Sequence, residues 1–284
     1  MQLDTLCADI RAAHRECRFA MKQQSRIDRS LEAFIRVNVF GFSTMDDEKT
    51  RAKKSKAAVD LVKQCRKGEA APEYASVAMM VMASDQSREA WDKIRNERTR
   101  TMARLAKELP AAAFVDGVTG FGLVGFAQIV GECGNLSNYA NPGKVWKRMG
   151  LAPYDGLAMS SWRRTTWRPR TLTSEEWIDN PFNAERYAIV AQIATWLVNA
   201  QMIGAEKSGT RYGQPKGPYG EYYLHRREHT AQTHPDWTDM HARLDALRYT
   251  IKKLIRDLWS EWRKANALVE PTTDPTSAPL ADAA

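Results

Sequence analysis

Apolar residues between positions 3 and 38 recur every three or four residues, a spacing that places them on one face of an α-helix. The same spacing continues through most of the chain, and no segment shows a convincing alternation of apolar and polar residues of the kind typical of a half-buried β-strand. The sequence therefore predicts an all-α fold. The apolar positions of the first helix are Leu3, Leu6, Ile10, Ala13, Cys17, Ala20, Ile27, Leu31, Phe34 and Ile35.

Three N-terminal helices are expected to form a bundle or a long hairpin. The first spans residues 3–38, and Ser43 or Thr44 is expected to cap the second, because short polar side chains accept a hydrogen bond from the first turn. The second helix is expected to end near Gly68, a residue that favours helix C-termini. The third is expected at about residues 73–109.

A compact helical domain is expected to follow, with helices at about residues 177–203, 221–230 and 237–266. The last residues are rich in Pro, Thr, Ala and Asp, a composition typical of disordered segments. The predicted organisation is an N-terminal helical region at residues 1–108, a helical domain at 109–266 and a disordered tail at 267–284.

The segment VTGFGLVGFAQIVGECG, at residues 118–134, predicts the second half of a helix-hairpin-helix. Gly120 and Gly122 are expected to form the turn, because glycine adopts positive φ angles and leaves room where two helix ends meet. Phe121 or Leu123 is expected to pack inward. A phosphate oxygen can approach the backbone N–H groups at such a helix start. A tight turn that binds no ligand is the alternative.

A basic segment with interleaved tryptophans follows the predicted hairpin, between residues 144 and 170. It contains seven Lys or Arg and one acid, Asp155. Basic side chains pair with phosphates, and aromatic rings offer faces to bases or sugars, so we predict contact with DNA or RNA. A solvated surface without a ligand is the alternative. The residues are Lys144, Lys147, Arg148, Arg163, Arg164, Arg168 and Arg170, with Trp146, Trp162 and Trp167 among them.

The last predicted helix has one apolar face and one basic face. Lys252, Lys253 and Arg256 are expected to contact phosphate from the basic face. We expect this face, the start of the hairpin and the basic segment to line one surface, because cations on one surface sum their potentials. The alternative is an ordinary amphipathic helix whose cations pair with the acids of the chain.

Composition favours an anionic partner and argues against metal and membrane sites. The formal net charge is +8, and the four cysteines form no CxxC pair and match no histidine at zinc-site spacing. We therefore predict no metal site. No signal peptide is visible and the longest apolar stretch, residues 188–204, is interrupted by polar residues. A cytoplasmic protein with no membrane partner is expected.

Several motifs occur in an order that resembles a known family. After the GFG-type hairpin come NPGKVWKRMGLAP, AERYAIVAQIATWLVNAQ, GPYGEYYLHRREH and HARLDALRYTIKKLIRDLWSEWRK. Together they resemble the C-terminal domain of the Piv/MooV-type insertion-sequence transposases, the family that includes bridge-RNA-guided recombinases. The resemblance covers about residues 109–264 and looks closest to shortened relatives from phages and genomic islands, which lack the N-terminal RNase-H-like domain.

The resemblance implies a nucleophilic serine that attacks DNA and four acidic residues, on an RNase-H-like sheet, that bind metal. The serine position corresponds to Ser160 or Ser161, shortly after the GLAP segment; the favoured alternative is that both belong to a polar loop without a catalytic role. Two features depart from the family: Trp162 follows where glycine is usual, and the N-terminal sequence shows no RNase-H-like strands. We therefore expect no complete active site and no cofactor, with Mg²⁺ only if a partner supplies carboxylates.

The leading prediction is a transposase-like protein of a mobile element or phage that binds nucleic acid. DNA is the first expectation, structured RNA is left open, and a homo-oligomer is compatible with the sequence. One alternative is a serine-dependent recombinase or transposase that uses Ser160 or Ser161 with carboxylates from a partner. Another is a helical phage or mobile-element interaction protein that does not bind nucleic acid.

Overall fold

The computed structural model describes residues 2–154, 157–158, 183–204 and 211–267. Within these ranges the regular structure is helical apart from two antiparallel pairs of two-residue strands, which confirms the predicted all-α fold. The strand pairs are β1 (Pro153–Tyr154) with β2 (Leu157–Ala158), and β3 (Met202–Ile203) with β4 (Gln214–Pro215). The α-helices are α1 (Leu3–Asn38), α2 (Glu48–Lys67), α3 (Ala75–Ala106), α4 (Ala112–Asp116), α5 (Leu123–Cys133), α6 (Pro142–Arg148), α7 (Ala184–Gln201), α8 (Pro218–Thr233) and α9 (Asp239–Ala267).

The start of α2 corrects the predicted cap. Asp47 is the N-cap residue, and its Oδ1 accepts the backbone N–H of Thr50 at 2.9 Å. Ser43 instead lies in the preceding turn, where its backbone N–H donates to the carboxylate of Asp46. An ionised carboxylate at this position also meets the positive end of the helix dipole, which favours Asp47 over a hydroxyl residue. The predicted C-terminus is confirmed, since Gly68 caps α2 at φ 72°.

The chain between α3 and the hairpin contains a short helix that the sequence did not predict. α3 ends at Ala106 rather than at Leu109, and α4 follows as a single short helix. Pro110 lacks a backbone N–H and disfavours helical geometry in the residue before it, so the chain leaves α3 ahead of this proline.

The predicted core helix of the C-terminal region is α7, and one face of it is buried, with Val190, Ile193 and Leu197 fully enclosed, whereas Trp196 is exposed. The first residues of the predicted helix, 177–182, lie outside the described part of the chain. No helix within the described ranges is long and apolar enough to cross a membrane.

Contacts divide the chain into two units. Unit 2 is the continuous stretch of residues 12–101, and unit 1 combines residues 1–11 with 102–284. The sequence-based border was placed between residues 108 and 109, and it did not separate residues 1–11 from the N-terminal region. The core of unit 2 comprises Leu31, Ile35, Ala58, Leu61, Val62, Val77 and Val81.

Unit 1 is organised around α9, which packs against α7, α8, α6 and the turn at residues 136–138. Trp262 is fully buried, and its ring meets the edge of Phe126 at a centroid distance of 6.0 Å. Its indole N–H lies 3.2 Å from both Asn135 Oδ1 and Ser137 Oγ. A buried indole needs an acceptor for its N–H, so these contacts fix the 135–138 segment on α9.

Candidate nucleic-acid interface

The predicted hairpin turn lies between α4 and α5 and depends on Gly120. This residue has φ +86°, in the left-handed region that favours glycine. A Cβ atom at this position would lie 2.6 Å from Ala200 Cβ and 3.0 Å from Leu197 Cα. Phe121 is buried, which confirms the prediction that Phe121 or Leu123 packs inward here. Gly120 therefore allows the hairpin to approach the end of α7 closely.

Gly122 does not have the conformation that the sequence predicted. It is the N-cap of α5 with φ −95°, an extended conformation that any residue adopts, and it is exposed. A Cβ atom at Gly122 would meet no atom of the described residues within 4 Å. The expectation that Gly122 needs a positive φ is therefore wrong. Contact between phosphate and the first N–H groups of α5 stays a prediction.

Three predicted contact residues meet in an open pocket beside α6. Lys144, Lys147 and Arg148 are three and four residues apart, so they share one side of the helix. Arg186, from the first turn of α7, faces the same pocket, whose volume is about 560 Å³. The other lining residues are Asn138, Tyr139 and Ala140.

The charge of this pocket is positive, since none of its lining residues is acidic. The carboxylate of Glu132, which is buried and not part of the lining, accepts from Arg186 Nε at 2.8 Å. Arg148 Nε donates to the backbone oxygen of Glu132 at 3.1 Å. Burial raises the pKa of Tyr139 to about 12, so its hydroxyl stays protonated and donates to the Cys133 carbonyl oxygen. Four cations around a neutral phenol suit an anionic ligand.

The hairpin and the pocket lie at opposite ends of α5. Gly120 lies against Leu197 and Ala200 near the end of α7, whereas Glu132 pairs with Arg186 at its start. The two helices are therefore antiparallel, and the 11 residues of α5 separate the two features by about 16 Å. A ligand that contacts both must span roughly five nucleotides of one DNA strand, at about 3.4 Å each.

The basic side of α9 lies next to α6. The indole N–H of Trp146 donates to the backbone oxygen of Lys252 at 3.1 Å, and the Lys252 ammonium lies 5.6 Å from the centroid of that ring. Arg256, one helical turn further along, is exposed and donates from Nε to Asp257 Oδ1 at 3.2 Å. The structure therefore brings Lys252 close to the segment that carries the pocket lysines, whereas the contact seen for Arg256 is with Asp257.

Lys253 has a different environment. Its ammonium lies 2.9 Å from Asp257 Oδ2 and over the rings of Tyr219 and Tyr222. The Tyr219 hydroxyl donates to the same carboxylate oxygen at 3.1 Å. Because the carboxylate of Asp257 compensates the charge of Lys253, a bound phosphate would stabilise Lys253 less than it would stabilise Lys252.

The remaining predicted site residues lie outside the described part of the chain, so the serine hypothesis and the second half of the basic segment stay predictions. They are Ser160, Ser161, Arg163, Arg164, Arg168 and Arg170.

Two arginines near the predicted contacts were missed in the sequence. Arg186 lies in the first turn of an otherwise apolar helix, and Arg226 lies in the HRREH motif of α8. An isolated cation at the start of a core helix is only a weak indication that Arg186 contacts a ligand. Arg186 is far in sequence from α6 and α9, and Arg226 lies on the helix before α9, so only the packing of the helices reveals these neighbours.

Within the described ranges, no group of three or more His, Cys, Asp or Glu side chains is placed to hold a metal ion. Comparisons of the chain with protein-family models, with curated proteins and with solved structures gave no match. The transposase resemblance therefore stays a prediction.

Proposed function

We propose that this chain binds the phosphate backbone of nucleic acid, with DNA as the principal ligand, and that it is a transposase-related protein of a mobile element or phage. The observation that carries the proposal is the pocket beside α6, where Lys144, Lys147, Arg148 and Arg186 converge without an acidic lining residue. Cations brought together from two helices bind an anion more strongly than the same cations dispersed over a surface.

The surroundings of the pocket favour an extended polyanion over a small anion. Lys144, Lys147 and Arg148 are exposed, and Lys252 lies on the other side of Trp146, with its ammonium over that ring. A backbone with one phosphate per nucleotide meets several of these cations at once. Contacts of this kind carry no sequence information, so they set affinity and register.

The test measures affinity by fluorescence anisotropy for duplex DNA, single-stranded DNA and structured RNA at about 50 and about 200 mM salt. Wild-type protein is expected to bind duplex DNA with a steep salt dependence. The double variant Lys144→Gln with Lys147→Gln is expected to bind more weakly, with a salt slope smaller by about 1.8, because each lost phosphate contact removes about 0.9.

The matched control is the double variant Lys63→Gln with Lys93→Gln. It removes the same charge from two exposed lysines of unit 2 that pair with Asp60 and Glu89. This control is expected to keep the wild-type salt slope. Equal losses in both double variants would show a response to net charge alone and would contradict the pocket. Absence of binding to all three ligands would overturn the proposal.

A further inference from the structure

A second group of cations surrounds Tyr249 on α9. The guanidinium of Arg226, from α8, lies 3.8 Å from the centroid of the Tyr249 ring. The Lys252 ammonium lies 5.2 Å and the Arg248 guanidinium 5.9 Å from the same centroid. We refer to Arg226, Arg248 and Lys252 as the Tyr249 cluster. It shares none of its residues with the pocket beside α6.

Two of the three cations pair with one carboxylate. Asp245, whose side chain is 4% exposed, accepts from Arg226 Nε at 2.8 Å and from Arg248 at 2.7 Å. Lys252 forms no ion pair within the described residues, and Asp245 cannot neutralise three charges. The cluster therefore retains positive charge in a place that is partly shielded from water.

Uncompensated charge at a half-buried position is unfavourable for the isolated protein. Burial lowers the pKa of Lys252, and the nearby Arg248 lowers it further; Asp245 opposes these effects, and Arg226 makes the smallest contribution, also downward. Arg248 Nε is also buried without a hydrogen-bond partner in the described residues. An anion that enters the cluster would relieve the repulsion and accept these donors.

We propose that the Tyr249 cluster binds one phosphate group. The side chains of Arg226 and Arg248 are 19% and 23% exposed, so the cluster is in part open to solvent. Guanidinium N–H donors lie in a plane and pair with two oxygens of a phosphate, and the lysine adds a point charge. A phosphate diester keeps one negative charge and two free oxygens, which suits this arrangement.

The proposed source is a nucleic-acid backbone, so this inference rests on the proposed function. Trp146 joins the two sites, because its ring contacts the Lys252 ammonium while Lys144 and Lys147 lie on the same short helix. The pocket beside α6 and the Tyr249 cluster would then hold separate phosphates of one strand. A free phosphate or a small phosphate ester has the same chemistry and is distinguished by the test.

The test uses the full chain with Lys252→Gln, the charge-retaining Lys252→Arg, and the control Lys264→Gln. Lys264 is an exposed lysine on the same helix, 2.7 Å from its partner Glu261. Duplex-DNA affinity is measured by anisotropy. Melting temperature is measured in inorganic phosphate and in sodium chloride of equal ionic strength. Loss of one contact is expected to weaken DNA binding about eightfold at about 0.1 M salt.

Lys252→Gln is expected to melt no lower than wild type in chloride, since an uncompensated charge is removed, and to lose the rise in melting temperature that phosphate gives wild type. Lys252→Arg and Lys264→Gln are expected to bind DNA like wild type.

Wild-type affinity in Lys252→Gln, with DNA binding by wild type intact, would overturn the inference and leave the proposed function standing. If no nucleic acid binds wild type but the phosphate effect is lost in Lys252→Gln, the proposed function fails and a small phosphate is the ligand. A lower melting temperature of Lys252→Gln in chloride, with the phosphate effect kept, would show a structural lysine and overturn the inference.

Discussion

The two units of the molecule differ in how their cations are paired. In unit 2, residues 12–101, ion pairs at the surface also join separate helices: Arg66 pairs with Asp85 and Asp28, and Arg88 pairs with Asp28. In unit 1, Arg226 and Arg248 share the single buried carboxylate of Asp245, and the nearby Lys252 forms no ion pair within the described residues. Four more cations line a pocket without an acidic lining residue, although Arg186 among them pairs with the buried Glu132. Unit 1 therefore contains places where cations outnumber the carboxylates beside them.

The net charge of a unit therefore does not indicate how well that unit can bind an anion. Residues 12–101 hold 19 Lys or Arg against 13 Asp or Glu, so unit 2 carries most of the formal charge of +8. Yet many of these cations have carboxylate partners, and exposed charges are screened within about 8 Å at physiological salt. Convergent and partly buried cations are a better guide to an anion site than the charge of a region.

The largest difference is expected when each kind of carboxylate is removed. Asp245→Asn leaves Arg226 and Arg248 without their buried partner and is expected to lower the free energy of unfolding by about 3–5 kcal/mol. Asp85→Asn breaks the half-exposed pair with Arg66 and is expected to cost at most about 1 kcal/mol. Urea unfolding of the two variants measures both values. Equal losses of unfolding free energy in the two variants would contradict the distinction drawn here between the carboxylates of the two units.

Substituting alanine for glycine compares how much stability each unit loses when a Cβ atom is added to its backbone. Gly120→Ala combines a positive φ with a Cβ only 2.6 Å from Ala200, and we expect a loss of about 2–4 kcal/mol. Gly68→Ala, at the end of α2, has a positive φ but open space, and about 1 kcal/mol is expected. Gly122→Ala is expected to be nearly neutral. Chemical denaturation orders the three variants, and a Gly122 effect as large as that of Gly120 would contradict this account of the hairpin.

The smallest expected effect concerns thiol reactivity. Burial raises the pKa of Cys133, in unit 1, to about 12 and that of Cys7 to about 11, and both side chains are buried. Cys65, in unit 2, is half-buried, and burial raises its pKa by less. Because the thiolate is the reactive form, alkylation of the native protein at about pH 8 should modify Cys65 first. Peptide mass spectrometry follows the order, and early labelling of Cys133 would show that unit 1 opens readily.

Helical periodicity was sufficient to predict the fold class and several helix ends. α1 has the predicted bounds, and Gly68 ends α2, because both depend on local spacing and a local cap. The sequence did not predict the cap at Asp47, because several polar residues near it are suitable N-caps for α2. It did not predict the early end of α3 either, because Pro110 disfavours helical geometry in the residue that precedes it. Local competition of this kind is hard to resolve from sequence alone.

The candidate site was only partly predictable, because it is assembled from distant segments. The lysines of α6 and Lys252 were identified from composition, but Arg186 and Arg226 join them only through the packing of α7 and α8. The conformations of Gly120 and Gly122 differ, although the GFG sequence predicts the same turn conformation for both residues. What distinguishes them is the nearby end of α7, which no local pattern encodes.

The tryptophan contacts of α9 also bear on how the protein is made. Trp146 and Lys252 are 106 residues apart, Trp259 and Tyr139 are 120 apart, and Trp262 and Asn135 are 127 apart. Unit 2 is one continuous stretch and can fold soon after it leaves the ribosome. The segment around α5 and α6 must wait for α9, with the apolar surface that Trp262 later covers still open to solvent. Biosynthesis of unit 1 is therefore the stage most exposed to aggregation, and the stage at which a chaperone would matter most.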